Sequence, residues 1–351
     1  MRSSLGIGVL IIAAIAIALL SRQSGIVPEN TSVSQSAAPS STPESLPVLR
    51  AQARQAGRTL GYRSAGLSTN TAEHSIPLDQ VLDGGPGKDG IPALTNPKFT
   101  SITSADPNIT DTVEGILVNV GSDTRFYPYN ILVWHEVVND VVGGKPLVIT
   151  FCPLCGSAIV YDPAVNGKPE QFGVSGKLYN SNLLMYDKTT EGLWSQVEGE
   201  AVVGDLTGKK LALYPSQVVS FKTVRAQYPQ AQVLSTDTGY RRDYSFYPYG
   251  NYNSTSQLYF PIAVADTRLP AKEIMYIVNF NKHSVAFKVR DLKPGVIAKV
   301  DVGGKPLVAA LSNGIIEAKP EGGAPLPGYT AMWFAWAVYH QKDGIVWTAA
   351  Q

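Results

Sequence analysis

From residue 76 onward the chain is cut into short pieces by turn-forming pairs: Asp83-Gly84, Asp89-Gly90, Gly143-Gly144, Asn166-Gly167, Gly303-Gly304 and Asn313-Gly314. Glycine and asparagine tolerate the left-handed backbone that two-residue hairpin turns require. Between the pairs lie β-branched and aromatic runs such as "GILVNV", "PLVITF", "SAIVYD", "MYIVNF", "VAFKVR" and "PLVAAL". Runs of that length and composition are strands. The expected fold is therefore mainly β with a few helices, an α+β arrangement of antiparallel sheets and hairpins. Two stretches read as helices: "SQVVSFKTVRAQYP", with Ser216 as N-cap and Pro229 as its stop, and "TAMWFAWAVYHQKDG", from near Thr330 to Gly344. A short echo, "VVGGKPLVIT" at 141–150 and "DVGGKPLVAA" at 301–310, fits two similar hairpins.

The N-terminus adds an address. Residues 1–22 read as a signal anchor or signal peptide, with an unbroken apolar stretch from Leu5 to Leu20 flanked by Arg2 and Arg22. The stretch is shorter than the ~20 residues of a spanning helix, and Ser3, Ser4 and Ser21 extend it. Without a clean small-x-small cleavage site, an uncleaved N-terminal membrane helix is the favoured reading. Residues 23–75 are a Ser/Pro-rich flexible linker and lead-in. The expectation is a single-pass protein whose globular domain, residues 76–351, lies outside the cytoplasm. Its partner is the membrane, and no protein partner is indicated. With 29 basic and 28 acidic residues, the chain carries no signal for nucleic acid, and no nucleotide cofactor is expected.

The only two cysteines, Cys152 and Cys155, stand in "ITFCPLCGSAIVYD". If Gly143-Gly144 is the centre of a hairpin turn, Val142 faces Lys145, Val141 faces Pro146, and His135 faces Cys152. That register would set imidazole and thiol about 5 Å apart at Cβ. A bulge would separate them, and "ILVWHEVVND" also fits a helix, because Ile131, His135 and Val138 share a helical face. Three chemistries suit the constellation. The first is a soft transition metal, copper or zinc, held by Cys152, Cys155 and His135 with Met185 as an outer ligand. The second is a thiol-disulfide oxidoreductase in which Cys152 attacks and Cys155 resolves. The third is a non-catalytic binding module stiffened by a structural disulfide.

Four segments together carry a family pattern: the run from "DGGPGKDG", then "WHEVVNDVVGGKPLVITFCPLCGSAIVYD", then "FGVSGKLYNSNLLMYDKTTEGLWSQVEGEAVVGDLTGKKL", then "DTGYRRDYSFYPYGNY". Over roughly residues 76–255 the chain resembles the microbial family catalogued as domain of unknown function 3179. The resemblance implies that these segments share one domain, with residues 256–351 as a C-terminal extension, and it implies no activity.

Two further groups are candidate ligand-binding residues. "YNSNLLMYDKTTEGLWSQ" gathers Tyr179, Asn180, Asn182, Trp194 and Gln196, which suits a cleft with hydrogen-bonding walls or two plain strands joined by a loop. "DTGYRRDYSFYPYGNY" contributes Tyr240, Arg241 and Arg242, a set that fits an anionic or planar ligand or an irregular loop pinned over the core. Ser175 in "GVSG" is one residue short of a nucleophile elbow and reads as a serine in a tight strand turn. On an extended strand Glu136 points away from His135, so the pair is not read as a dyad.

Overall fold

The computed structural model describes residues 66–349. The apolar segment at 1–22 and the linker as far as residue 65 lie outside the described residues. Among the described residues no helix is long and apolar enough to cross a membrane. They belong to one compact unit.

The protein is mainly β with a few helices. The largest sheet has nine strands, and its path runs from Leu94–Thr95 through Val137–Val142, Lys145–Cys152 and Ser157–Asp162. It continues through Gly328–Met332, Ile274–Phe280 and His283–Lys288 to Ile345–Trp347, with Ala212–Leu213 pairing off the path. Two five-stranded sheets and a three-stranded one complete the core. Most pairings are antiparallel; the short edge strands Leu94–Thr95 and Ile345–Trp347 pair parallel to their neighbours, and Gln232–Leu234 lies between Asp123–Pro128, to which it is parallel, and Phe99–Ser101, to which it is antiparallel.

The Gly143-Gly144 hairpin forms as the turn chemistry dictates. Both glycines have positive φ, and the ladder runs from Val142↔Lys145 through Val141↔Pro146 to Val137↔Thr150. Beyond that point it breaks, so His135 does not face Cys152. Tyr129–Leu132 is a short helix, His135 N and Glu136 N both donate to Leu132 O, and Glu136 takes a left-handed φ of 57° before the strand starts at Val137. The run "ILVWHEVVND" is thus helical in its first half and extended in its second. The kink at Glu136 swings His135 off the ladder.

The echo between 141–150 and 301–310 is the visible part of a much longer repeat. Every pairing of Val137–Val142 with Lys145–Cys152 recurs between Ile297–Val302 and Lys305–Ser312 with 160 added to both numbers, so that Val142↔Lys145 becomes Val302↔Lys305. The hairpin of Glu114–Val120 with Asp123–Pro128 recurs in the same way, Val120↔Asp123 becoming Phe280↔His283. Each hairpin carries a third strand at one edge, Gln217–Ser220 or Gly328–Met332, that runs on into a helix, Phe221–Gln227 or Trp333–Ala337. Each helix is followed by a parallel strand at the other edge. The two copies are built from the same strand order, and they differ most in one connection. Residues 163–216 of the first copy include most of a five-stranded sheet, where the second has only residues 321–327.

Two expected helix starts are corrected by this repeat. Residues Gln217–Ser220 pair with Leu117–Glu114 as a strand, so the helix begins at Phe221 with Ser220, not Ser216, as its cap; Ser220 Oγ accepts from Thr223 N at 3.3 Å. In the second copy Gly328–Met332 pairs along Ile274–Phe280, and the helix is confined to Trp333–Ala337. Sheet pairing overrides a helical apolar period in both places.

Candidate dithiol site

The two arches end differently. Lys305–Ser312 turns into Ile315–Pro320 through Asn313-Gly314 alone, with φ of 52° and 80°. Lys145–Cys152 turns into Ser157–Asp162 through four residues, Pro153 to Gly156, and Cys152 pairs with Ser157 at the base of that wider turn. The turn is closed by Cys155 N donating to Cys152 O at 3.1 Å. Its far side is held by Met332 N donating to Cys155 O at 2.7 Å, where the strand Gly328–Met332 hands over to the helix Trp333–Ala337. A Cβ at Gly156 would stand 3.2 Å from Met332 Cγ, and its φ of 54° already favours glycine.

This tip places the sulfurs 3.1 Å apart, both as free thiols and both buried in the main apolar cluster. Cys155 lies deeper. Its thiol donates to Ser181 O at 3.2 Å and its sulfur accepts from Asn182 Nδ2 at 3.3 Å. Asn182 also donates to Gln196 Oε1 at 3.1 Å, and Gln196 in turn accepts from Ser157 Oγ at 2.6 Å and donates to Thr150 Oγ1 at 2.9 Å. The chain of bonds fixes the Asn182 amide with its NH2 toward the sulfur. Burial raises the Cys155 thiol well above its ordinary pKa, its contact with Cys152 pushes in the same direction, and the Asn182 donor works against both.

Cys152, by contrast, lines a pocket of about 80 Å³. Glu136, Lys177 and Tyr249 line it as well, among apolar walls that include Leu154, Leu183 and Phe260. Glu136 is buried and accepts from Tyr249 Oη at 2.8 Å; burial lifts its carboxyl to about 7, the tyrosine bond opposing. Lys177 follows a bulge in Phe172–Tyr179, where Ser175 Oγ accepts from Lys177 N at 2.9 Å and donates to Leu184 O. The Lys177 side chain is 3% exposed and its ammonium reaches Asp83 Oδ2 at 3.2 Å.

Tyr249 and Phe260 belong to residues 235–273, a strap with no strand and a single 3-10 turn at Tyr252–Ser254. Tyr252, fully buried, ties the strap to the cysteine turn by donating to Leu154 O at 2.7 Å. Lys272 sits over the Tyr252 ring, 3.3 Å from its centroid.

The residues singled out from sequence divide cleanly. Cys152, Cys155, Asn182 and Gln196 meet at the dithiol. Met185 is fully buried in the same cluster, paired between Val174 and Trp194. His135 is elsewhere: one ring nitrogen bonds Pro92 O at 2.7 Å and the other Tyr244 Oη at 2.8 Å, and burial lowers its pKa to about 4. Among the described residues no group of three or more His, Cys, Asp and Glu side chains could hold a metal ion. Trp194 Nε1 donates to Asp187 Oδ2 at 3.0 Å and its ring meets Phe172 edge-on. Asn180 Oδ1 accepts from Ala263 N at 2.8 Å, and Tyr179 is half-buried against a separate small cluster. Tyr240 is exposed beside the His135 ring, Arg241 faces solvent, and Arg242 lies over Trp134. Lys177 is no candidate in the sequence and Glu136 is set aside there, while Tyr249 and Tyr252 stand only among the tyrosines of the segment around Arg241 and Arg242.

A family model described as Protein of unknown function (DUF3179) matches residues 88–322, two thirds of the chain. The chain belongs to this family. The match takes in both cysteines, Glu136, Lys177 and the strap, and continues through the second arch, beyond residue 255. No curated protein and no solved structure matches the chain.

Proposed function

We propose that Cys152 and Cys155 form a redox-active pair that cycles between dithiol and disulfide. The folded part is held on the extracytoplasmic side of a membrane by the Leu5–Leu20 segment. The observation that carries the reading is the pair itself: two free sulfurs at 3.1 Å, one on a pocket wall and one behind it. Cys152, the sulfur that meets the pocket, attacks; Cys155 resolves. A buried carboxyl that titrates near neutrality on the same wall, Glu136, is suited to take the proton that Cys152 must lose.

With glutathione disulfide as oxidant, Cys152 forms a bond to one glutathione sulfur and the other leaves as thiolate; Cys155 then attacks Cys152, closing the bridge and expelling the second glutathione. The test is trapping on the full chain. Cys155→Ser should accumulate a glutathione adduct on Cys152 that the wild-type protein resolves. Absence of the adduct, together with wild-type thiols inert to glutathione disulfide in the folded state, would overturn the reading.

A second reading keeps the same sulfurs as ligands of a copper or zinc ion, without His135. The short separation of two free sulfurs favours it, because two thiolates are a soft donor pair, with Met185 as the outer candidate. Metal bound in stoichiometric amount and lost in both Cys152→Ser and Met185→Leu would support that reading over the redox one.

A further inference from the structure

The pocket in front of Cys152 has a size that narrows the substrate. At about 80 Å³ it is roughly a quarter of the ~300 Å³ at which pockets for drug-sized ligands begin. Cys152 is 2% exposed, Tyr249 and Phe260 of the strap line the pocket before it, and Tyr252 anchors that strap on Leu154 O. Any larger disulfide, glutathione disulfide included, reaches Cys152 only when the strap lifts off two hydrogen bonds, so it reacts slowly. A molecule of two or three heavy atoms fits as the structure stands. The walls are apolar except for Cys152, Glu136, Tyr249 and Lys177, so the reacting sulfur meets a carboxyl that can exchange a proton, with a buried lysine on the same wall.

We propose, resting on the dithiol reading above, that the oxidant this site takes is hydrogen peroxide or a hydroperoxide of similar size, and that the protein is a two-cysteine peroxide reductase. In the first step the Cys152 thiolate, its proton passed to Glu136, attacks one peroxide oxygen. An S–O bond forms and the O–O bond breaks. The departing hydroxide takes the proton back from Glu136 and leaves as water, and Cys152 becomes a sulfenic acid. The Lys177 ammonium, held by Asp83, offsets the charge that builds on the leaving oxygen. In the second step the Cys155 sulfur attacks Cys152 across the short gap between them. The S–S bond forms, the S–O bond breaks, and hydroxide leaves with the Cys155 proton as a second water. Two thiols and one peroxide thus give one disulfide and two waters. An external dithiol supplies the two electrons that reopen the bridge.

The test uses the reduced full chain and hydrogen peroxide, with loss of free thiols followed by alkylation. The folded protein should lose both thiols together, on the order of a hundredfold faster than the same chain in denaturant. Cumene hydroperoxide, too large for the pocket, should show no such advantage. In Cys155→Ser, Cys152 should stop at the sulfenic acid, trapped as a dimedone adduct. If glutathione disulfide oxidises the pair while hydrogen peroxide acts no faster than on the denatured chain, or if both peroxides react alike, the peroxide assignment falls and the dithiol reading stands. If neither oxidant closes the bridge, the dithiol reading itself fails.

Discussion

The first hairpins of the two arches, residues 137–152 and 297–312, share a register residue for residue, yet the tips that follow them live in different surroundings. Pro153, Leu154 and Cys155 are buried, whereas Ser312, Asn313 and Gly314 are exposed. The inner face of the first arch, Val148, Thr150 and Cys152, is covered by the sheet inserted at 163–216 and closed by the strap. The equivalent face of the second, Val308, Ala310 and Ser312, opens on a groove of about 370 Å³ shared with Gln227 and the charged Glu317 and Lys319. The difference shows that the ribbon does not create the site. An arch supplies a rigid place for a turn; two extra residues in the turn and a cover over its face turn that place into a desolvated pair of thiols.

Replacements at matched positions test how far the equivalence reaches. The largest effect is expected where both copies are closed: Leu147 and Leu307 are each buried, and Leu→Ala at either should cost about 2–5 kcal/mol in denaturant unfolding. A cost below 1 kcal/mol at Leu307 would mean that the second arch is not a structural repeat of the first in energy.

The next effect belongs to the covered pocket alone. Burial raises Glu136 from 4.5 to about 7, so the folded state holds its proton more tightly than the unfolded one. Its stabilising contribution is complete below pH 4.5 and is lost as pH rises through 7, on the order of 3 kcal/mol in all. Unfolding free energy against pH should therefore fall less steeply over that window in Glu136→Gln than in the wild type. Glu198, also raised to about 7 by burial, adds the same slope to both proteins, so the difference isolates Glu136. Identical slopes would place Glu136 in water.

Smaller effects follow from the polar chain behind the sulfurs. Thr150→Ala removes the nearer acceptor of the Gln196 amide, leaving Ser157 O at 3.4 Å, and should cost about 1–3 kcal/mol, while Ala310→Thr, on the half-open face of the other arch, should stay within about 0.5 kcal/mol. Comparable costs would contradict the claim that only the first arch is covered. Smallest of all, His135→Asn should move the dithiol midpoint potential by less than about 30 mV, because the ring is committed to Pro92 and Tyr244. A larger shift would restore the imidazole to the sulfur site.

Much of this fold was legible because it is written in short-range chemistry. The Gly143-Gly144 pair specified its hairpin down to Val141↔Pro146, and the ten-residue echo marked a true repeat whose remaining strands have diverged beyond recognition. The site was legible only in part. Asn182 and Gln196 stood out as a polar cluster and do meet Cys155. The expected ladder runs two residue pairs too far, to His135, because the kink is made by Glu136, a residue type that rarely takes positive φ and so leaves no trace in the sequence. Tyr249 reaches the pocket and Tyr252 the cysteine turn from about a hundred residues away along a strap with no periodicity, and long-range closure of that kind has no local signature.

The central claim is that the first arch carries a reversible dithiol and not an inert staple. Equilibrating the full chain in graded glutathione redox buffers and counting free thiols by alkylation tests it most directly. A single two-electron transition with a midpoint between about −270 and −120 mV is expected, the range of catalytic dithiols, and it should vanish in Cys152→Ser. A pair that stays bridged below about −300 mV, or that never closes at any accessible potential, would contradict it.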